Sequence, residues 1–594
     1  MFRPTPPQVS LLETRFLLPP AKRERLERSW AQVFFTRVLP LIDETCLQSC
    51  FDSDNGRPNR SIRLLTALLI LKDWNDLTDE QVLENLEYNL QWQYALGITA
   101  DEAHLPQKTL HNHRARIMES EKGEEIFDAI AKGLAEIDGL SVSRQRLDST
   151  HLVSDIKVLT RLGLFVETET RFLQELKAKF PEKVASLETE VARRYLDREG
   201  YFSDAKREQA RRRLPMAARD LLYLVRRFEK DDAVNGWESY QLMTRLLEEQ
   251  CDVTGGQGGT GGDGVEKIEV KEPKEIGGAS LQSPHDPDAT YGHKGKGYEA
   301  QVAETCVEEN PYQIVTHMEI NGANESDQHA TIPVVKKLVE KGLGPNEVLA
   351  DTAFGSGENI VGCAAIGVKL FSPVRDPDAS ERTDPRWEPT AEVTPEAPSV
   401  VETSSEHDNT ETVNAEATLV RPSADETASS PGPLGLDAFK FDSTFGKIET
   451  CPAGNAPKRQ EAPEGKKPRK ATFDGEQCRG CPLADRCPTR VDAKTGDRTM
   501  KWQAPTAATE TRQREQKEST FKELYQKRSG VESTMEELKG RHGARDLRVR
   551  RRPRVALAVL LKGMAINTKR AVQYHLEQLR KVLIDGPKPT PATV

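Results

Sequence analysis

Along the first 135 residues, apolar positions recur at helical spacing, most clearly in RSIRLLTALLILKDWNDLTDEQVLENLEYNLQWQYALGI (Arg60–Ile98). Thr78-Asp79-Glu80-Gln81 has the make-up of a helix start. A short basic helix, LPQKTLHNHRARI, is predicted after Pro106. Its adjacent His111-Asn112-His113 is not the HNH nuclease signature, whose residues spread over a longer ββα unit. The period changes in GLSVSRQRLDSTHLVS (Gly139–Ser154), where Val142, Leu147, Leu152, Thr150 and Val153 predict a strand carrying Asp148. Residues 155–250 return to long, charged helix, and GGQGGTGGDG (Gly255–Gly264) reads as a flexible linker.

A strand cluster follows. GYEAQVAET (Gly297–Thr305) and YQIVTHMEI (Tyr312–Ile320) predict a hairpin. DQHATIPVVKKLVEKGLG predicts a helix, EVLADTAF a short strand ending at Asp351, ENIVGCAAIG a helix and VKLFSPV another strand. Three strands, helix, strand, helix, strand is the order of an α/β sheet of mixed direction. The expected organisation is a helical domain at 1–135, a first core strand at 136–154, a helical insertion at 155–250 and a Gly-rich linker at 251–285. The sheet core follows at 286–375, then an acidic insert at 376–435, a Cys-rich segment at 436–495, a helical C-terminal region at 496–583 and a tail at 584–594. VALAVLLKGMAINTKRAVQYHLEQLRKVL predicts a largely buried final helix.

The 594 residues suffice for three or four domains. No run of about 18 apolar residues predicts a membrane span, and MFRPTPPQVSLLETRF lacks a signal-peptide core. A cytoplasmic protein with reduced cysteines is expected. The net charge of −10 is unevenly spread. Asp376–Ser430 holds 14 acids against 3 bases, and its Pro, Ser, Thr and Glu richness predicts disorder. Lys501–Val582 holds 20 bases against 9 acids and contains RDLRVRRRPR, an electrostatic footprint suited to phosphates.

Within that basic region, YQKRSGVESTMEELKG (Tyr525–Gly540) spaces Tyr525, Arg528, Glu532 and Lys539 along one stripe of a continuous helix. A capping box at Ser529-Gly530-Val531-Glu532 is the competing reading and would start the helix at Ser529. Asp148 and Asp351 sit in or at the end of strands, where a carboxylate is unfavourable without a partner, metal or water. Two such aspartates and a helical glutamate are hard oxygen donors that suit Mg2+ or Mn2+. Two ions of that kind can clamp an in-line phosphoryl displacement.

These motifs resemble those of a bacterial insertion-sequence DDE transposase with an InsH-type helical N-terminal domain. Tyr525, Arg528, Glu532 and Lys539 match the family's Y-x2-R-x3-E-x6-K motif at all four positions. RLDSTHLVSD resembles its first aspartate motif and VLADTAFGSGEN its second, while HKGKGYEAQVAET resembles its second-strand region. The resemblance implies an RNase H-like core with Asp148, Asp351 and Glu532 as catalytic Mg2+ (or Mn2+) ligands. It implies Tyr525, Arg528 and Lys539 as DNA contacts and a DNA-binding N-terminal domain. The partners it implies are double-stranded DNA, as transposon ends and target, and further copies of the chain in a homodimer or higher oligomer. Reaction at the transposon end and transfer of the freed 3′-OH would be the activity. A repurposed DNA-binding protein and a nuclease of the same fold that does not join ends are the alternatives. The long gaps from Asp148 to the hairpin and from Asp351 to Glu532 set this chain apart from the family's pattern.

Cys478-x2-Cys481-x5-Cys487, with Cys451 as a fourth thiol, suits a structural zinc site. Four reduced thiols are the alternative. A redox role lacks the surrounding βαβ pattern.

Overall fold

In the computed structural model the described residues are 2–4, 18–52, 58–156, 159–196, 207–255, 266–375, 432–461 and 467–585. Nearly all of the acidic insert, most of the glycine run and the tail beyond 585 lie outside them. The chain divides into two units, Met1–Pro373 with Glu518–Val594, and Val374–Lys517. No helix among the described residues is long and apolar enough to cross a membrane.

The first unit begins with helices. α1 (Ile62–Trp74) is capped by the Ser61 side chain, which accepts from the Leu64 amide. α2 (Asp79–Tyr88) starts at a reciprocal capping box between Thr78 and Gln81. α3 (Leu90–Leu96), α4 (Gln107–Glu119) and α5 (Gly123–Asp138) complete the expected helical region. On α4, His113 is buried against the Thr66 hydroxyl at 3.0 Å while its neighbours His111 and Asn112 are exposed, so the three point apart.

The core is a sheet. β1 (Arg144–Leu152) pairs antiparallel with β2 (Gly295–Thr305), which pairs antiparallel with β3 (Val315–Gly322). On its other side β1 pairs parallel with β4 (Glu347–Ala350), and β4 pairs parallel with β5 (Lys369–Phe371). A short strand, Thr290–Gly292, folds back on the start of β2. At that start, Gly297 has φ +143° and its missing Cβ leaves room for the Leu152 carbonyl, which a Cβ would meet at 2.2 Å. The crossover α6 (Asp327–Glu340) joins β3 to β4, and α7 (Gly357–Ala365) joins β4 to β5. The element order matches the expectation from hydrophobic pattern; β1, β4 and β5 are shorter than the segments predicted for them, β2 starts two residues earlier, and β3 is shifted toward Gly322.

Between β1 and β2 the chain makes a helical insertion. Its principal helices are Arg161–Lys179, Arg207–Phe228 and Glu238–Gln250. They bury a core of their own, including Phe172, Leu221, Phe228 and Met243. The stretch expected as linker from 251 is not all linker. Cys251–Thr254 and Lys267–Val270 pair as an antiparallel ribbon on either side of the glycine run, because Val253 and Ile268 find cover against the insertion's core.

The chain returns to the first unit with α8 (Ser519–Gln526) and α9 (Gly530–Glu536), separated only by the tight 3-10 turn Lys527–Ser529. The π-turn Glu537–Arg541 follows. α10 (Arg552–Asp585) is the long final helix, packed against α1, α5 and β3.

The second unit buries Phe439, Ile448, Ala471, Phe473, Met500 and Trp502 around a small antiparallel sheet. Its strands run in the order Arg459–Glu461, Arg469–Phe473, Arg498–Trp502, Arg490–Val491. The cysteine-rich segment, expected to close at 495, therefore shares its sheet with 498–502 through the ladder Arg469–Phe473 to Arg498–Trp502. The unit's two ends also meet, Val374 donating its amide to the Gln516 side chain at 2.9 Å.

Candidate functional site

The sheet places two carboxylates side by side. Leu147 pairs with Ala350 in the parallel β1–β4 register. The next residue along each is an aspartate, Asp148 within β1 and Asp351 just past the end of β4. The Ser149 amide donates to Asp148 Oδ1 at 2.8 Å, and the Ala353 amide donates to Asp351 Oδ1 at 2.8 Å. Burial pushes the Asp148 carboxyl above its ordinary value; Asp351 adds to that, and the Ser149 amide and Arg528 oppose it.

The α8–α9 segment lies over this pair. Arg528 Nη1 donates to Asp148 Oδ2 at 3.0 Å and Nη2 donates to Glu532 Oε1 at 3.3 Å. Burial works against the charge on Arg528, yet Asp148 and its neighbours hold the guanidinium above its usual pKa. Tyr525 stacks on Phe521 with ring centroids 6.1 Å apart, and Arg528 lies over the Tyr525 ring. Glu532 is largely exposed, at 67%. The segment thus brings Tyr525, Arg528, Glu532, Asp148 and Asp351 together.

The capping-box reading does not describe this segment. Ser529 has helical angles, φ −54° and ψ −25°, makes no cap, and donates its hydroxyl to the Gln526 carbonyl. The helical path simply continues from α8. Lys539 departs from the expected stripe. It falls on the π-turn, whose extra residue rotates it away from Glu532. It is half-buried and makes no hydrogen bond with Tyr525, Arg528 or Glu532. Burial lowers its pKa, and the nearby Lys294 adds to the effect.

A clamp that the sequence pattern did not reveal holds α9 in place. Glu304 on β2 is fully buried. It accepts from Arg146 Nε at 2.6 Å, from the Thr534 hydroxyl at 2.7 Å and from Arg570 Nη1 at 3.0 Å. Arg146 also donates to the Lys527 carbonyl at 3.0 Å, and a Cβ on Gly530 would meet its Nη1 at 1.8 Å. Only glycine allows that approach. One buried carboxylate therefore joins β1, β2, α9 and α10. Arg146 stands two residues before Asp148 on the same face of β1, and that alternation was the available signal.

On the opposite face, the Ser149 hydroxyl lies 3.0 Å from Glu299 and 2.9 Å from Asp327, and Lys294 pairs with Glu299 at 2.6 Å. Lys294 thus balances Glu299, while Asp327 is held by neutral donors, the Ser149 hydroxyl and the Gln301 amide.

In the second unit, Cys451, Cys478, Cys481 and Cys487 line one cavity of about 20 Å³. Burial pushes the Cys478 thiol up, and after the lowering effect of Arg498 the other three cysteines raise it further. The Leu483 amide donates to Cys481 Sγ at 3.4 Å. Among the described residues, no group of three or more His, Cys, Asp or Glu side chains is drawn together closely enough to hold a metal ion. That holds for the four thiols and for Asp148, Asp351 and Glu532, where the Arg528 guanidinium separates the first from the last.

Residues 450–572 match the family model described as transposase DDE domain. Residues 24–116 match a second, described as transposase domain (DUF772). These matches indicate an insertion-sequence DDE transposase. Tyr525, Arg528, Glu532, Lys539 and the four clustered cysteines lie inside the first matched segment, whereas Asp148 and Asp351 lie between the two. No curated protein and no solved structure matches the chain.

Proposed function

We propose that this transposase cuts DNA at transposon ends and transfers the freed 3′-OH to target DNA, using Asp148, Asp351 and Glu532. The observation that carries the reading is the adjacency of Asp148 and Asp351 on parallel strands, beneath an arginine that also reaches Glu532. The strand order β3-β2-β1-β4-β5, with β2 antiparallel and β4 parallel to β1, supports an RNase H-like core.

The three carboxylates have the chemistry to hold Mg2+ or Mn2+, which take one or two carboxylates and keep other positions for water and phosphate. Bound there, such ions would stabilise charge on the attacking and leaving oxygens of an in-line displacement. The chain's own residues do the rest. Arg528 spends one N–H on Asp148 and one on Glu532, so three of its five donors remain for a phosphate. Tyr525, stacked on Phe521, presents its hydroxyl beside the same opening. In the first step, water adds to a phosphodiester and the 3′ oxygen leaves with a proton. In the second, that 3′-hydroxyl attacks a target phosphodiester and expels its 3′ oxygen.

The cysteines are proposed to bind one structural zinc. What supports this is donor chemistry: four soft thiols line one small cavity and a backbone amide donates to one sulfur, although the thiols stand too far apart in this structure to coordinate together.

The deciding experiment measures cleavage and joining of transposon-end DNA by Asp148→Asn, Asp351→Asn and Glu532→Gln. Each substitution should abolish both steps and leave end binding nearly unchanged. Near wild-type cleavage by any one of them would remove that residue from the site. Cleavage by the wild type without joining would make the protein a nuclease.

A further inference from the structure

The first unit contains a cleft of about 1000 Å³ that the carboxylate site does not use. One wall is the end of α1 and one face of α4, and the other is the chain from the π-turn through Val549 into α10. The two walls fall almost entirely in the two segments that match transposase models, 24–116 and 450–572. They are fastened at one side, where His542 bonds the Asp73 carbonyl at 2.8 Å and Lys562 pairs with Asp73 at 2.8 Å.

The lining has two characters. Leu77, Met118, Leu557 and Leu561 contribute apolar surface. Cations and carboxylates stand around it, and most of the cations have acidic partners: Arg114 and Lys72 lie on Asp79, and Arg545 on Glu536. Lys539, Arg548 and Arg554 also line the cleft and have no acidic partner within ion-pair distance among the described residues. Duplex DNA presents phosphates outward along its whole surface and favours a wall of uniform sign. An unpaired strand presents sugar and base faces as well as phosphates, and fits apolar surface interrupted by separate cations. The volume also admits a few nucleotides rather than a double helix.

We infer that this cleft binds an unpaired stretch of DNA strand, with Lys539, Arg548 and Arg554 on its phosphates and the apolar residues beneath its sugars and bases. α9 carries both Glu532 and, one turn on, the cleft-lining Glu536, so the same helix borders the carboxylate site and the cleft, and the cleft receives strand leading to or from that site. The inference deepens the transposase reading but is tested without cleavage.

The test is binding of the full-length protein to a fluorescein-labelled oligothymidylate and to a duplex of equal length, across salt concentrations and without divalent metal. Neither DNA carries a transposon end. The Arg548→Ala/Arg554→Ala double variant should bind the single strand about tenfold or more weakly, with its salt dependence reduced by about 0.7 for each phosphate that is no longer neutralised. Ala115→Trp fills the cleft without changing charge, and should weaken single-strand binding while sparing the duplex. Thermal melts confirm that both variants fold. Unchanged single-strand affinity and salt dependence in the two variants would overturn the inference. So would equal weakening of single-strand and duplex binding in the double variant with no effect of Ala115→Trp, the pattern of a duplex lying on the rim. Failure of cleavage in the carboxylate experiment would leave this result standing.

Discussion

Arg528 Nη1 stands 3.0 Å from Asp148 Oδ2, so the positive charge nearest the paired aspartates belongs to the protein itself. Its other arm reaches Glu532, and together the two contacts hold the helix carboxylate on the sheet's side of the site. Replacing Arg528 should therefore do more than remove a phosphate contact. Arg528→Ala is expected to lower the cleavage rate by about 100-fold or more, in the range seen when one charge-stabilising group is deleted. It should also flatten the salt dependence of duplex end binding by about one phosphate's worth. Arg528→Lys should restore the salt dependence and little of the rate, because an ammonium cannot span both carboxylates as the planar fork does. Cleavage by the lysine variant at the wild-type rate would show that charge alone matters.

Glu304 yields a second prediction. Glu304→Ala leaves the Arg146 guanidinium without its carboxylate and Arg570 with Glu537 alone. Breaking such a cluster from one side costs about 3–5 kcal/mol. Chemical denaturation should show that loss. Gly530→Ala presses on Arg146 from the other side of the same contact and should shift the α9 segment. Its cleavage should fall further than its stability, since the segment carries Glu532. Equal small losses of both would leave Gly530 a packing residue only.

The strands and the stripe at Tyr525–Glu532 were legible because each depends on local spacing: apolar alternation for β1 to β3, and helical periodicity for the motif. The clamp was not, because Arg146, Glu304 and Arg570 meet across more than four hundred residues of chain and no local pattern records that. The second unit's sheet was hidden for a different reason. Arg459–Glu461 and Arg490–Val491 are short, polar and mostly exposed, so they carry little of the alternation that marks a half-buried strand. The π-turn that moves Lys539 likewise leaves no spacing signal, since the same residues would be acceptable in ordinary helix.

His113 sets an expectation for pH. Burial lowers its pKa from 6.5 to about 3, and the nearby Arg116 adds to the effect. The folded protein therefore keeps the ring neutral where the unfolded chain binds a proton. Stability from this residue is complete above 6.5 and falls as pH drops from 6.5 toward 3, by at most about 1.4 kcal/mol per pH unit. His113→Leu should flatten the decline of melting temperature on mild acidification. An identical decline in both proteins would mean that His113 is protonated in the fold.

The cysteines are tested by metal content. Protein prepared without chelators should carry about one zinc per chain, and Cys478→Ser with Cys481→Ser should remove it. Melting of the second unit should move to lower temperature on chelation, because Cys451, Cys478 and Cys487 pack against its apolar core. Metal-free protein with an unchanged melt would identify four reduced thiols.

α10 is made after every other element of the first unit, yet α1, α5 and β3 all rest on it. At about 5–20 residues per second, the stretch from β3 to α10 takes roughly tens of seconds to synthesise. During that time the apolar faces of early elements wait for a late partner, and Glu304 waits for Arg570. A nascent or truncated chain can already display Asp148 and Asp351, but it cannot seat α9 beside them. Synthesis through α10 is thus a checkpoint that the fold imposes before Glu532 can stand with the two aspartates.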